Sequence, residues 1–165
     1  MPTAPTLPSP SSLDLWIVHT DGASKGNPGR AGIGVALYKP TKIGAEPLEP
    51  AFVVAERIGD TTNNVAEYAA LIRGLREALL RGAERIEART DSELMARQIG
   101  GQYKVSAPQI LPLFAEAKGL LARFASAKVV HVPRERNAVA DKLANQGVAQ
   151  TLAAPPAAGV VKAVK

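Results

Sequence analysis

Three stretches with the apolar pattern of strands, residues 13–20, 31–38 and 51–58, follow one another with only a glycine-rich turn and a proline-rich loop between them. A parallel neighbour needs a long crossover, usually helical, whereas short connections join antiparallel strands. The first third of the chain is therefore expected to fold as an antiparallel meander on which the rest is built. In the first stretch Trp16, Ile17 and Val18 supply the aromatic and β-branched content of a buried strand. Gly22, Gly26, Pro28 and Gly29 then mark a turn, which puts Asp21 at a strand end beside backbone that a ligand can approach closely.

The next pattern has a period of 3.6 rather than 2. Thr61, Thr62, Asn63 and Asn64 are helix-capping residues, and Glu67, three residues after Asn64, has the form of a capping box. Tyr68, Leu71, Ile72, Leu75, Ala78 and Leu79 fall on one stripe and predict a helix from Asn64 to about Arg81, ended by Gly82. Glu67 lies one residue, about 100° of turn, from that stripe. Residues 84–90 read as a strand ending in Asp91, and 92–99 as a short helix closed by Gly100 and Gly101. Residues 108–124 read as a longer helix with Leu111, Leu113 or Phe114, Ala117, Leu120, Leu121 and Phe124 on its apolar side and Pro112 in its first turn. A last strand, 127–132, and a charged loop precede a helix capped by Asn137, which carries Asp141 and turns Leu143, Ala144 and Val148 inward. The order β-β-β-α-β-α-α-β-α predicts an α/β fold: a mixed five-stranded sheet, three strands antiparallel and two parallel, with helices on both faces.

At 165 residues one domain is expected, over 13–150. Residues 1–12 and 151–165 are expected to be flexible tails, too poor in large apolar side chains to offset the entropy of ordering. The net charge of +5 favours a polyanionic partner. The absence of cysteine leaves no disulfide or thiolate metal site, and two histidines, His19 and His131, give little basis for zinc. No run approaches the ~20 apolar residues of a membrane span, and the N-terminus lacks the pattern of a signal peptide. The expectation is a cytoplasmic monomer without membrane association.

Asp21, Glu67, Asp91 and Asp141 are drawn from a strand end, a helix start, a strand end and a helix start. With right-handed crossovers these points can converge at one end of the sheet. Gathered carboxylates repel and raise one another's pKa, so such a site needs a divalent cation. Hard oxygen ligands without His or Cys select Mg²⁺ or Mn²⁺. The chemistry this implies is phosphodiester hydrolysis with two metals about 4 Å apart.

Four segments, Thr20-Asp21-Gly22-Ala23-Ser24-Lys25-Gly26-Asn27-Pro28-Gly29, Thr61-Thr62-Asn63-Asn64-Val65-Ala66-Glu67, Thr90-Asp91-Ser92 and Asn137-Ala138-Val139-Ala140-Asp141-Lys142-Leu143-Ala144-Asn145, resemble the successive motifs of type 1 ribonuclease H, in family order and over roughly residues 13–150. The resemblance implies endonucleolytic cleavage of the RNA strand of an RNA–DNA hybrid, leaving a 3′-hydroxyl and a 5′-phosphate, with Asp21, Glu67, Asp91 and Asp141 as metal ligands. It also implies that Asn27, Asn63 and Asn64 touch the hybrid's minor groove, where an amide can both donate to and accept from a 2′-hydroxyl. Helix capping is the other reading of Asn63 and Asn64. Thr62 matches a family contact to the DNA-strand phosphate.

The chain departs from the family pattern at three places. Asp60 stands where many members carry an arginine, which weakens the expected phosphate pocket. Residues 102–109 are short, with Lys104 the only charge, where many bacterial members carry a basic helix and loop, so the chain resembles the branch without that handle. The histidine-bearing loop before the last acid is replaced by Pro133-Arg134-Glu135-Arg136-Asn137. Arg134 is the better candidate for the mobile group that aids product release or contacts the scissile phosphate; a solvated loop is the other reading of Arg134 and of Arg136 alike, and His131 reads as a residue packed or paired with the sheet. The competing readings are a hybrid-binding module of the same fold without turnover, against which the retention of four acids argues, and a DNA-strand nuclease, which the Asn63-Asn64 pair disfavours.

Overall fold

The computed structural model describes residues 14–40 and 49–150; both expected tails, and positions 41–48 of the loop expected after the second strand, lie outside the described residues. β1 (Leu15–Gly26), β2 (Gly29–Tyr38) and β3 (Phe52–Thr61) form the meander, paired antiparallel from Ile17↔Tyr38 to Gly26↔Gly29 and from Leu37↔Phe52 to Gly29↔Thr61. β1 differs from expectation at its far end. The strand runs on through Asp21 and Gly22 to Gly26, and the chain reverses only at Asn27 and Pro28, which are joined by a cis peptide. Gly22 serves packing rather than turning, because a Cβ there would lie 2.2 Å from the carbonyl carbon of Ala66. Asp21 is therefore inside a strand, not at its end. What ends beside it is the pairing with β4 (Arg85–Thr90), which runs parallel to β1 from Leu15↔Arg85 to Thr20↔Thr90. The two strands part at the residues that follow, Asp21 and Asp91.

β5 (Ser126–His131) lies parallel to β4, giving the order β3-β2-β1-β4-β5. The connections are the expected helices: α1 (Asn63–Leu80), α2 (Glu93–Ile99) and α3 (Leu111–Leu121). A turn of 3₁₀ helix, Arg134–Asn137, leads into α4 (Ala138–Ala149). α3 is shorter than the expected 108–124. Ile110, just before it, is buried, whereas Leu111, expected on the apolar stripe, is 46% exposed.

Side chains alternate along β1. Val18 and Thr20 face α1, whose Gly74 rests against them, while Ile17 packs with Ala36, Tyr38 and Leu143 of α4 on the other face. Helices thus cover both faces. The larger core lies under α1, where Tyr68, Leu71 and Leu75 meet Val18, Val35, Leu37 and Ile86, all fully buried. Truncating Leu71 or Leu75 to Ala would cost about 2–5 kcal/mol, so α1 is firmly fixed and carries Glu67 with it. On the opposite face α4 lies directly on β2. A Cβ at Gly34 would come within 2.2 Å of the Ala140 carbonyl oxygen, and one at Gly32 within 2.4 Å of the Val148 nitrogen. At the end of α4 the Gln150 side chain donates to the Ala55 carbonyl at 2.6 Å and accepts from the Arg57 N–H at 3.3 Å, both on β3. No helix among the described residues is long and apolar enough to cross a membrane.

Candidate active site and nucleic-acid cleft

Where β4 leaves β1, Gly22 stays paired with Ile33 of β2, and the Glu67 Oε1 accepts its N–H at 3.1 Å. The expected capping box does not form. The cap of α1 is Thr62, whose Oγ1 accepts from Val65 N at 3.2 Å, which places Glu67 beyond the first turn and releases its carboxylate to cross to β1. Asp91 follows the last residue of β4 and precedes Ser92, whose Oγ caps α2 by accepting from Met95 N at 3.1 Å. One carboxylate oxygen from each of Asp21, Glu67 and Asp91 falls within a group no wider than 4.8 Å. Asp141 joins from the other side. Asp21 pairs with Gly34 in the sheet, Ala140 rests on Gly34, and the next residue, Asp141, comes within hydrogen-bonding reach of Asp21. Three acids form a compact group and the fourth abuts its most buried member.

Burial, and then the charges of Glu67 and Asp91, push the Asp21 carboxyl far above the usual carboxylate range. Glu67 is raised for the same leading reason, burial, followed by the charge of Asp91; the Gly22 hydrogen bond and the Arg134 charge only partly offset this. Two buried acids that resist ionisation next to a third are what a cation-binding site looks like without its cation. The donors are all oxygen, which fits a hard divalent ion.

Beside the acids opens a cleft of about 440 Å³, lined by Glu67, Asp91 and Arg134 together with Asn27, Asn63, Asn64, Ser92, Glu93 and Leu94. Asn27, at the hairpin tip, accepts from Asn63 N at 2.9 Å through its Oδ1, which ties the tip to the first turn of α1. Asn64 has a buried Oδ1 with no partner, an acceptor held ready for a donor from outside the chain.

Asn137 does not cap α4 with its side chain. It is fully buried and spans the chain instead: Nδ2 donates to the Thr20 carbonyl at 3.0 Å, and Oδ1 faces His19 Nδ1 at 3.1 Å. A carbonyl only accepts, so the amide orientation is fixed and His19 carries its proton on Nδ1. The entry to α4, and Asp141 with it, is thereby anchored to the residue before Asp21. Capping statistics hid this role, since they speak only of local bonds. Glu93, two residues after Asp91 and not among the residues expected at the site, also lines the cleft.

A family model described as "Reverse transcriptase-like" matches residues 19–147. The bifunctional protein Rv2228c of Mycobacterium tuberculosis is 39% identical over 80% of this chain, and ribonuclease HI of Halobacterium salinarum is 39% identical over 79%. The chain spans only 35% of the first relative's length and 62% of the second's. Among solved structures, the N-terminal RNase H domain of Rv2228c matches with a TM-score of 0.75 at 37% identity, covering 81% of this chain and 98% of that one. The LC11-RNase H1 solved in complex with an RNA/DNA hybrid matches with a TM-score of 0.71 at 40% identity, covering 81% and 96%. The chain belongs to the type 1 ribonuclease H family.

The segment between α2 and α3, residues 100–110, holds no helix. Arg134 stands in the 3₁₀ turn, 81% exposed, with its Nε 3.7 Å from Asp91 Oδ2. Arg136 is exposed and outside the cleft lining. His131 pairs with Thr90 through the sheet as the last residue of β5, with its side chain exposed rather than packed. Asp60 is exposed and pairs with the largely buried Arg57 at 3.7 Å.

Proposed function

We propose that the protein is a metal-dependent endoribonuclease that hydrolyses the RNA strand of RNA–DNA hybrids, leaving 5′-phosphate and 3′-hydroxyl ends. The observation that carries this is the juxtaposition of the Asp21, Glu67 and Asp91 carboxylates, within 4.8 Å, with a cleft lined by amides. Asp21, Glu67, Asp91 and Asp141 would hold two Mg²⁺ or Mn²⁺ ions. When bound, such ions supply activation of the attacking water and neutralisation of the leaving oxygen.

The chain's own residues do the rest. Burial of Asp21 and Glu67 keeps the site dry enough for charge to count, and the Gly22 N–H and Asn137 bonds fix two of the elements that carry the acids. Asn27, Asn63 and Asn64 receive the minor groove, offering both donors and acceptors to 2′-hydroxyls, which distinguish RNA from DNA. Thr62 retains a hydroxyl proton to give to a DNA-strand phosphate. Arg134, long and exposed, can swing from Asp91 to a phosphate oxygen.

Labelled RNA–DNA hybrid, double-stranded RNA and DNA duplex, each incubated with Mg²⁺, Mn²⁺ or EDTA, test the reading. Cleavage should fall on the RNA of the hybrid and vanish in EDTA. Asp91→Asn should abolish cleavage and leave hybrid binding intact. Hybrid bound but never cut by the wild type would identify a binding module instead, and equal cleavage of DNA duplex would refute the substrate.

A further inference from the structure

The polar residues of the cleft that stand outside the acid group are amides and a hydroxyl, which both donate and accept, with two exceptions: Arg134, which only donates, and Glu93. Glu93 lines the same cleft and carries a carboxylate that can only accept. It is the first residue of α2, directly after the Ser92 cap and two residues beyond Asp91. It therefore faces substrate close to the scissile bond. Arg97, one turn further along the helix, donates its Nε to Glu93 Oε2 at 2.8 Å, and the Arg97 guanidinium lies over the Tyr103 ring at 5.6 Å. One lone pair of the carboxylate is thus taken, and among the described residues the other oxygen has no partner.

An acceptor-only group in a minor groove is a discriminating one. There A·T-type pairs, in either orientation, present only acceptors, whereas a G·C pair adds the guanine 2-amino donor. The wide, shallow minor groove of an A-like duplex brings that edge within reach of side chains. An acceptor-only carboxylate bonds the guanine amine and confronts lone pairs at every other base. An amide in its place would rotate to suit either. We propose that Glu93 is a specificity-determining residue, reading the 2-amino group of a guanine at one fixed distance from the scissile phosphate. The inference rests on the hybrid-cleaving function proposed above, with the minor groove lying against the amide-lined wall.

Inosine differs from guanine only in lacking the 2-amino group, and 2,6-diaminopurine adds that group to an adenine pair. Hybrids with one guanine at successive positions, and the same hybrids with inosine, should give different cleavage maps with the wild-type protein. At one offset, cleavage should fall about 5- to 10-fold on inosine substitution, and diaminopurine in place of adenine should restore it. In Glu93→Gln the guanine-to-inosine ratio at that offset should approach one; as a ratio within one protein, it is independent of any change in overall rate. Identical guanine and inosine maps for the wild type, or a ratio that persists in Glu93→Gln, would overturn the proposal. Binding of the wild-type protein to the same two hybrids in EDTA keeps the two readings separable. Guanine-dependent binding without cleavage would support Glu93 as the reader while removing the hydrolytic function, and cleavage without guanine dependence would do the reverse.

Discussion

Gly22 and Glu67 meet through a single hydrogen bond, Gly22 N–H to Glu67 Oε1 at 3.1 Å, across a gap so narrow that any Cβ on Gly22 would enter the backbone of Ala66. The bond and the close approach depend on each other. With a side chain at position 22, α1 could not lie near enough for Glu67 to reach the strand.

Gly22→Ala should therefore damage activity more than stability. The clash is with backbone, which no rotamer relieves, so about 1–3 kcal/mol of folding stability should be lost. The outward shift of α1 should carry Glu67 off its ligand position. Urea melts and hybrid cleavage measured together check this; a variant that folds and cuts like the wild type would contradict the packing described.

The metal-free protein should lose stability as pH rises. Asp21 and Glu67 are both raised above their ordinary values of 3.8 and 4.5, so the folded chain binds more protons than the unfolded one above those values. That protonation linkage favours folding fully below about 4 and is lost as pH climbs through the window that Glu67 extends to about 8 and Asp21 higher. Melting in EDTA should be lower at pH 7.5 than at pH 5, and Mg²⁺ should recover the difference by binding the folded state. Asp21→Asn should flatten this pH dependence while abolishing cleavage. An unchanged slope would mean that the acids are not gathered as described.

Arg134→Ala should lower turnover about 10- to 100-fold, or ~1.4 to 2.7 kcal/mol in the barrier. Stability should hardly change, since the pair with Asp91 is long and its arginine exposed. If Arg136→Ala proves damaging and Arg134→Ala silent, the role belongs to Arg136.

Asn137→Ala removes the donor to the buried Thr20 carbonyl and the acceptor facing the half-buried His19 Nδ1, a loss of about 1–3 kcal/mol in stability. Because the side chain anchors the start of α4 rather than touching substrate, kcat should fall with KM little changed, and added metal should saturate at higher concentration as Asp141 loosens. A proportional rise in KM alone would place Asn137 in substrate contact instead.

The meander and the crossover helices were legible because each rests on local pattern, period 2 in β1 to β3 and period 3.6 in α1, and the gathering of Asp21, Glu67 and Asp91 followed from the order of those elements. What was not legible depends on which distant backbone lies opposite. Gly22 and Gly26 look like turn residues in sequence, yet β1 continues through Gly22 because α1 presses on it. Asn64 and Glu67 have capping-box spacing, but Thr62 takes the cap and the carboxylate is claimed by Gly22, 45 residues away. Asn137 carries the composition of a cap and bonds a strand 117 residues earlier instead. Leu111 fits the helical stripe, but α3 begins at that residue, and Ile110 is the one that is buried.

Gln150 places one side-chain amide where a neighbouring strand would present a peptide group, occupying the Ala55 carbonyl and the Arg57 N–H on the outer side of β3. An open sheet margin of this kind is a template for foreign strands and a route to aggregation. A single residue at the end of α4 thus works as a stopper. A chain cut short before Gln150 would keep every acid of the site and yet leave that margin free to recruit a second molecule.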